Sequence, residues 1–151
     1  MSGEWSPELT LNNELLDEQH VDLFRRLSAA ADALDGPRAA LDASVSAFAD
    51  SLVSHLAVEE RLMDESLYPE RVRHKSAHEL FIADFEKLRA ELRASGPTPA
   101  VIDGLQRRVP EWLRFHTRVN DAPFGAYLAR RKQQIGPSAA RPGRDAGKRF
   151  S

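Results

Sequence analysis

Residues 55–78, HLAVEERLMDESLYPERVRHKSAH, decide how this chain folds: His55 and Glu59 stand four residues apart, Tyr68-Pro69 breaks the run, and His74 and His78 again stand four apart. Residues at i and i+4 share one face of a helix, so each pair sends two side chains toward one point across a short turn. The chain has five histidines, and the other two, His20 and His116, join the same set. With Glu59 and Asp121 they supply five nitrogen and two oxygen donors. That inventory suits a two-metal centre better than an isolated charge or a catalytic dyad.

Outward from this stretch, apolar periodicity predicts four helices. A first helix over about 14–34 places Leu16, His20, Phe24, Leu27, Ala31 and Leu34 on one stripe. Gly36-Pro37 marks a turn, and a second helix runs to about residue 66 through Leu41, Val45, Phe48, Leu52, Leu56, Glu59 and Met63. A third spans about 70–95 and stops at Ser95-Gly96-Pro97. Thr98-Pro99 opens a fourth, carrying Val101, Ile102, Leu105, Val109, Trp112, Leu113, His116 and Val119. Pro110 is expected to kink that helix or loosen its preceding turn.

Counting from the turns tests whether the donors share a level. His20 lies 16 residues before Gly36 and His55 lies 19 after it; His78 lies 18 before Gly96 and His116 lies 20 after it. At about 1.5 Å rise per residue, each pair falls within roughly one turn of the same height if neighbouring helices are antiparallel. Asp121 is harder to place, because five residues of ideal helix turn it about 140° away from His116. A bulge or a helix end near Asn120 is needed to bring both inward. Beyond it, Ala122-Pro123 is expected to interrupt, with a short segment through Phe124, Tyr127 and Leu128 capping the bundle.

The expected fold is all-α, an up-down-up-down four-helix bundle with an N-terminal arm over 1–13 and a short C-terminal helical segment. A single domain occupies 1–132, and a flexible basic tail occupies 133–151. At 151 residues the chain is long enough to bury a core without crosslinks. It has no cysteine, which excludes disulfides and zinc-thiolate sites.

The opening Met-Ser-Gly-Glu-Trp lacks the marks of a signal peptide, and no apolar run approaches the roughly 20 residues of a membrane span. A cytoplasmic protein without a membrane partner is expected. Charge is uneven: residues 1–129 carry 14 Lys/Arg against 22 Asp/Glu, and 130–151 carry 7 against 1. Glycine and proline interrupt this basic tail, so it reads as a solvated segment and no nucleic-acid partner is expected.

The spaced pattern resembles the hemerythrin family, in particular its single-domain bacterial members. The residues that carry the likeness are Asp17-Glu18-Gln19-His20, His55 with Glu59-Glu60 and Met63, His74 and His78, and Trp112-Leu113 before His116 and Asp121. The resemblance covers about 1–130 and makes 1–132 a hemerythrin-like diiron domain. It implies that His74, His78 and His116 hold one iron, that His20 and His55 hold the other, and that Glu59 and Asp121 bridge them. It also implies two iron ions, ferrous or ferric, joined by an oxo or hydroxo bridge. On this arrangement one iron has six places filled and its neighbour five, which leaves one place for dioxygen.

The implied function is reversible dioxygen binding for carriage, storage or sensing, in a monomer or weak homo-oligomer and without enzymatic turnover. The alternatives are a diiron peroxidase or oxidase, and an iron-dependent protein-interaction module. Phe24, Leu56, Phe81 and Trp112 stand one turn or less from donor residues and are candidate pocket walls. Thr117 departs from the bulky aliphatic residue the family often has after the fourth-helix histidine. A hydroxyl there is expected to admit water or to hydrogen-bond near the open position.

Overall fold

Asn13 starts the bundle, its side chain accepting a hydrogen bond from Leu16 N–H at 3.0 Å and so satisfying one of the free donors of a first helical turn. The computed structural model describes residues 5–140 and contains four long helices. They are α1 (Glu14–Asp32), α2 (Arg38–Glu65), α3 (Arg71–Ser95) and α4 (99–140), joined by short turns in the expected all-α bundle. The arm before α1 is held by Asp17, whose two carboxylate oxygens accept from Leu11 N–H at 2.8 Å and the Thr10 hydroxyl at 2.6 Å. Leu9 and Leu11 are thereby tucked into the apolar interior.

The helix ends follow from local chemistry. Gly96 closes α3 at φ +78, a conformation that suits a residue without a side chain, and its N–H reaches Leu92 O. Arg38, at the start of α2, donates to the same Leu92 carbonyl at 2.6 Å and ties two helix ends together. Thr98 then caps α4 by accepting from Val101 N–H.

Helix α4 is continuous but not uniform. Its α-helical pieces, Pro99–Asp103, Val109–His116 and Ala122–Ala140, are separated by two π turns, Gly104–Arg108 and Thr117–Asp121. Val109 N–H bonds to Gly104 O and Ala122 N–H bonds to Thr117 O, each five residues back. Each closing residue is followed directly by a proline, Pro110 and Pro123. Proline lacks an N–H and its ring meets the carbonyl four residues earlier, so an α-helix must yield there. A wider turn just before the proline moves that carbonyl aside.

This corrects one expectation: Ala122-Pro123 does not interrupt the chain, and the C-terminal helical segment continues α4 without a break as far as Ala140. The effect of Pro110 is likewise taken up in the preceding turn. Of the basic tail expected over 133–151, residues 141–151 lie outside the described residues.

The apolar interior forms two groups. The larger holds Phe24, Phe48, Leu52, Leu56, Phe81, Phe85 and Leu113, with Trp112 packed against it. The smaller joins Leu11, Leu16, Met63, Tyr68 and Phe124 near the α2–α3 turn. Tyr127 secures that end by donating its hydroxyl to Ser66 O at 2.5 Å. No helix among the described residues is long and apolar enough to cross a membrane.

Candidate metal centre

Between the two apolar groups lies a buried polar layer made of His20 on α1, His55 and Glu59 on α2, His74 and His78 on α3, and His116 and Asp121 on α4. Each is at most 3% exposed. The structure therefore brings together all seven side chains picked out in the sequence. They fall into two overlapping sets whose donor atoms lie within 4.8 Å of one another: Glu59, His74, His78, His116 and Asp121, and His20, His55, Glu59 and Asp121.

Every histidine turns Nε2 inward. His116 Nε2 lies 3.2 Å from His74 Nε2 and 3.1 Å from His78 Nε2, while His20 and His55 Nε2 lie 3.1 Å apart. The carboxylates divide their oxygens between the two sets. Glu59 Oε1 lies 3.1 Å from His78 Nε2 and 3.4 Å from His74 Nε2, and its Oε2 lies 3.3 Å from His55 Nε2. Asp121 Oδ1 lies 3.0 Å from His74 Nε2 and 3.1 Å from His116 Nε2, and its Oδ2 lies 3.1 Å from His20 Nε2.

These donors fit cations better than they fit one another. Both Glu59 oxygens, Asp121 Oδ2 and His20 Nδ1 are buried without a hydrogen-bond partner, although imidazole nitrogens stand close to three of the four. Short separations without hydrogen-bond direction mean that lone pairs converge on shared points. Leaving buried carboxylate oxygens unpaired costs several kcal/mol, which a bound cation offsets. Neighbouring ligands around an octahedral ion are about 3 Å apart for bonds near 2.1 Å, which matches the donor spacing.

Without a metal the layer holds protons. Burial disfavours charge on His20 and His74, but Asp121 and Glu59 outweigh it and hold both imidazoles up at about 9. Burial likewise raises the Glu59 carboxyl, yet His20, His55, His74 and His78 together keep it well below the usual range. Asp121 is pushed up by burial and Glu59 but ends low, because His116 and His20 prevail.

Two outer partners went unremarked in the sequence as such. His55 Nδ1 pairs with Gln19 Oε1 at 2.7 Å, and His78 Nδ1 pairs with Glu60 Oε2 at 2.9 Å. An acceptor for the far N–H fixes the ring's tautomer and leaves Nε2 free for a metal. Their one sequence signal is adjacency, since Gln19 precedes His20 and Glu60 follows Glu59.

Of the candidate walls, Phe24, Leu56 and Phe81 are buried in the larger apolar group. Trp112 lies flat on His116 at 4.6 Å between ring centroids and 10° between planes, and Phe81 covers its other face at 3.5 Å. Tyr68 and Phe124 close the opposite side, edge-on to His74 at 6.4 and 6.2 Å. Thr117 is buried, and its hydroxyl donates to Leu113 O at 2.8 Å.

The family model described as "Hemerythrin HHE cation binding domain" matches residues 11–127. The chain is 29% identical over 123 residues to "Bacteriohemerythrin" of Stenotrophomonas maltophilia (strain R551-3), covering 80% of this chain and 77% of that protein. It is 31% identical over 121 residues to "Bacteriohemerythrin" of Pseudomonas aeruginosa (strain LESB58), with the same coverage. A cation-binding family whose match spans all four helices thus coincides with a buried layer of seven metal donors, and this chain belongs to the hemerythrin family.

Proposed function

We propose that this protein binds dioxygen reversibly at a pair of iron ions, serving as a carrier, reservoir or sensor rather than as an enzyme. The observation that carries the reading is the unequal donor set, in which three imidazoles face one side of two shared carboxylates and two imidazoles face the other. A bound iron pair would supply two-electron exchange with dioxygen, and the side with fewer imidazoles, one protein donor short of the other, is where dioxygen would bind. Neutral imidazoles suit iron, and two carboxylates cancel half the charge of two divalent ions.

The chain's own residues hold, shield and orient. Glu59 and Asp121 keep the two halves at a set separation because each gives one oxygen to each. The apolar groups on either side keep water from the layer, which favours release of dioxygen over loss of reduced oxygen species. Among the described residues, the buried polar side chains outside the seven donors are Thr117, whose proton goes to a backbone carbonyl, and Tyr68, whose ring lies edge-on to His74. Burial pushes the Tyr68 phenol up, so it stays protonated near neutral pH and is a poor base for repeated proton transfer, which supports a binder over a peroxidase or oxidase.

Anaerobic loading with two ferrous ions, followed by optical spectra through cycles of oxygen addition and removal, tests the reading. A spectrum that appears and reverses through several cycles is expected. One-way oxidation, or steady consumption of peroxide with a reductant, would overturn it.

A further inference from the structure

The two outer partners differ in charge. Glu60, a carboxylate, sits on Nδ1 of His78 in the three-imidazole half, whereas Gln19, a neutral amide, sits on Nδ1 of His55 in the two-imidazole half. Both accept from a ring N–H, so both orient their histidine equally well. Only Glu60 also draws the ring proton toward a negative charge, which makes His78 Nε2 a stronger electron donor. His116 shows no such partner and is instead covered by Trp112.

We propose that Glu60 and Gln19 are a pair of positioning residues that make the two metal positions electronically unequal. Glu60 favours the higher charge state in the three-imidazole half, and Gln19 withholds that favour from the half left open. With dioxygen as the oxidant, the three-imidazole side of an iron pair held here would be the easier one to oxidise. The inference rests on the diiron reading above, and it assigns a direction to a difference that donor counting alone leaves without one.

Glu60→Gln is the decisive variant, because an amide oxygen preserves the hydrogen bond and removes the charge. Glu60 is 35% exposed, so the change leaves no stranded buried group. In the anaerobically loaded protein, the one-electron potential is expected to rise by a tenfold change in equilibrium constant, 59 mV. In iron-free protein, cobalt(II) affinity in the three-imidazole half is expected to fall about tenfold, read from the cobalt absorption bands. Gln19→Glu is expected to move the potential the opposite way.

Potentials within about 18 mV of native, which is twofold in equilibrium constant, and cobalt affinity within about twofold in both variants would reduce Glu60 to a ring holder and overturn the inference. Failure of the native protein to take up two ions would strike at the diiron reading itself. Circular dichroism of the metal-free variants separates either result from misfolding.

Discussion

His116 and Asp121 stand five residues apart on one helix, yet His116 Nε2 and Asp121 Oδ1 lie 3.1 Å from each other. The π turn Thr117–Asp121 makes this possible, since its i to i+5 closure brings residues five apart over one another. Asp121 thereby gives one oxygen to each half of the site, whereas His20 belongs to one half only. Asp121→Ala is expected to abolish uptake of both ions, and His20→Ala is expected to lose one and keep the other. Metal analysis after equilibrium dialysis checks this, and equal losses in the two variants would contradict the shared role of Asp121.

Trp112 provides an optical report from the same helix. Its indole lies within 10° of parallel to the His116 ring, so a paramagnetic ion on that ring quenches its emission by contact and electron exchange. Cobalt(II) or iron(II) titration of the metal-free protein is expected to quench tryptophan fluorescence. Trp112→Phe is expected to remove most of the quenching while leaving the other tryptophan, Trp5, as background. Quenching that survives in Trp112→Phe would mean the stack does not report on the site.

The level of the site was legible because helices rise uniformly. Counting outward from Gly36 and Gly96 put His20 beside His55 and His78 beside His116, and their Nε2 atoms are 3.1 Å apart in each case. Asp121 could be read only as requiring a bulge or a helix end, because a sequence shows that an inward turn is needed but not which carbonyl is skipped. Pro110 was legible, since the loosened turn expected before it is the π turn Gly104–Arg108, whereas Pro123 misled: its missing N–H is visible in a sequence and the widened turn that absorbs it is not. The roles of Gln19 and Glu60 were hidden by distance, since their histidines lie 36 and 18 residues away.

Acidity offers a test that needs no oxygen. His20 and His74, held up at about 9, stabilise the metal-free fold fully below their ordinary 6.5 and lose that contribution as pH rises through 9. Glu59 and Asp121, held below their ordinary 4.5 and 3.8, contribute above those values and lose it as pH falls through their lowered positions. The metal-free protein is therefore expected to melt highest between about 4.5 and 6.5 and to weaken toward pH 9.5. Loading at pH 7 is expected to release about two protons from His20 and His74, seen as buffer-dependent binding heat. Melting that is flat from pH 5 to 9.5 would show that these imidazoles are not charged in the fold.

Thr117 is the residue where sequence and structure give different weight to one hydroxyl. Its position directly after His116 suggests a polar group near the open metal position, but its proton goes to Leu113 O at 2.8 Å, back along its own helix. Leu113 O also accepts from the Thr117 backbone N–H, so removing the hydroxyl leaves that carbonyl satisfied. Thr117→Val, nearly equal in volume, is accordingly expected to cost less than about 1 kcal/mol in stability. On the proposed oxygen-binding reading, the lifetime of the oxygen adduct is expected to stay within about twofold, because a hydroxyl committed to the backbone does not deliver its proton to the site. Any lengthening in Thr117→Ile then belongs to added bulk rather than to lost polarity. A tenfold change in lifetime in Thr117→Val, measured by spontaneous oxidation in air, would instead mean that the free lone pairs of Oγ1 act on the centre.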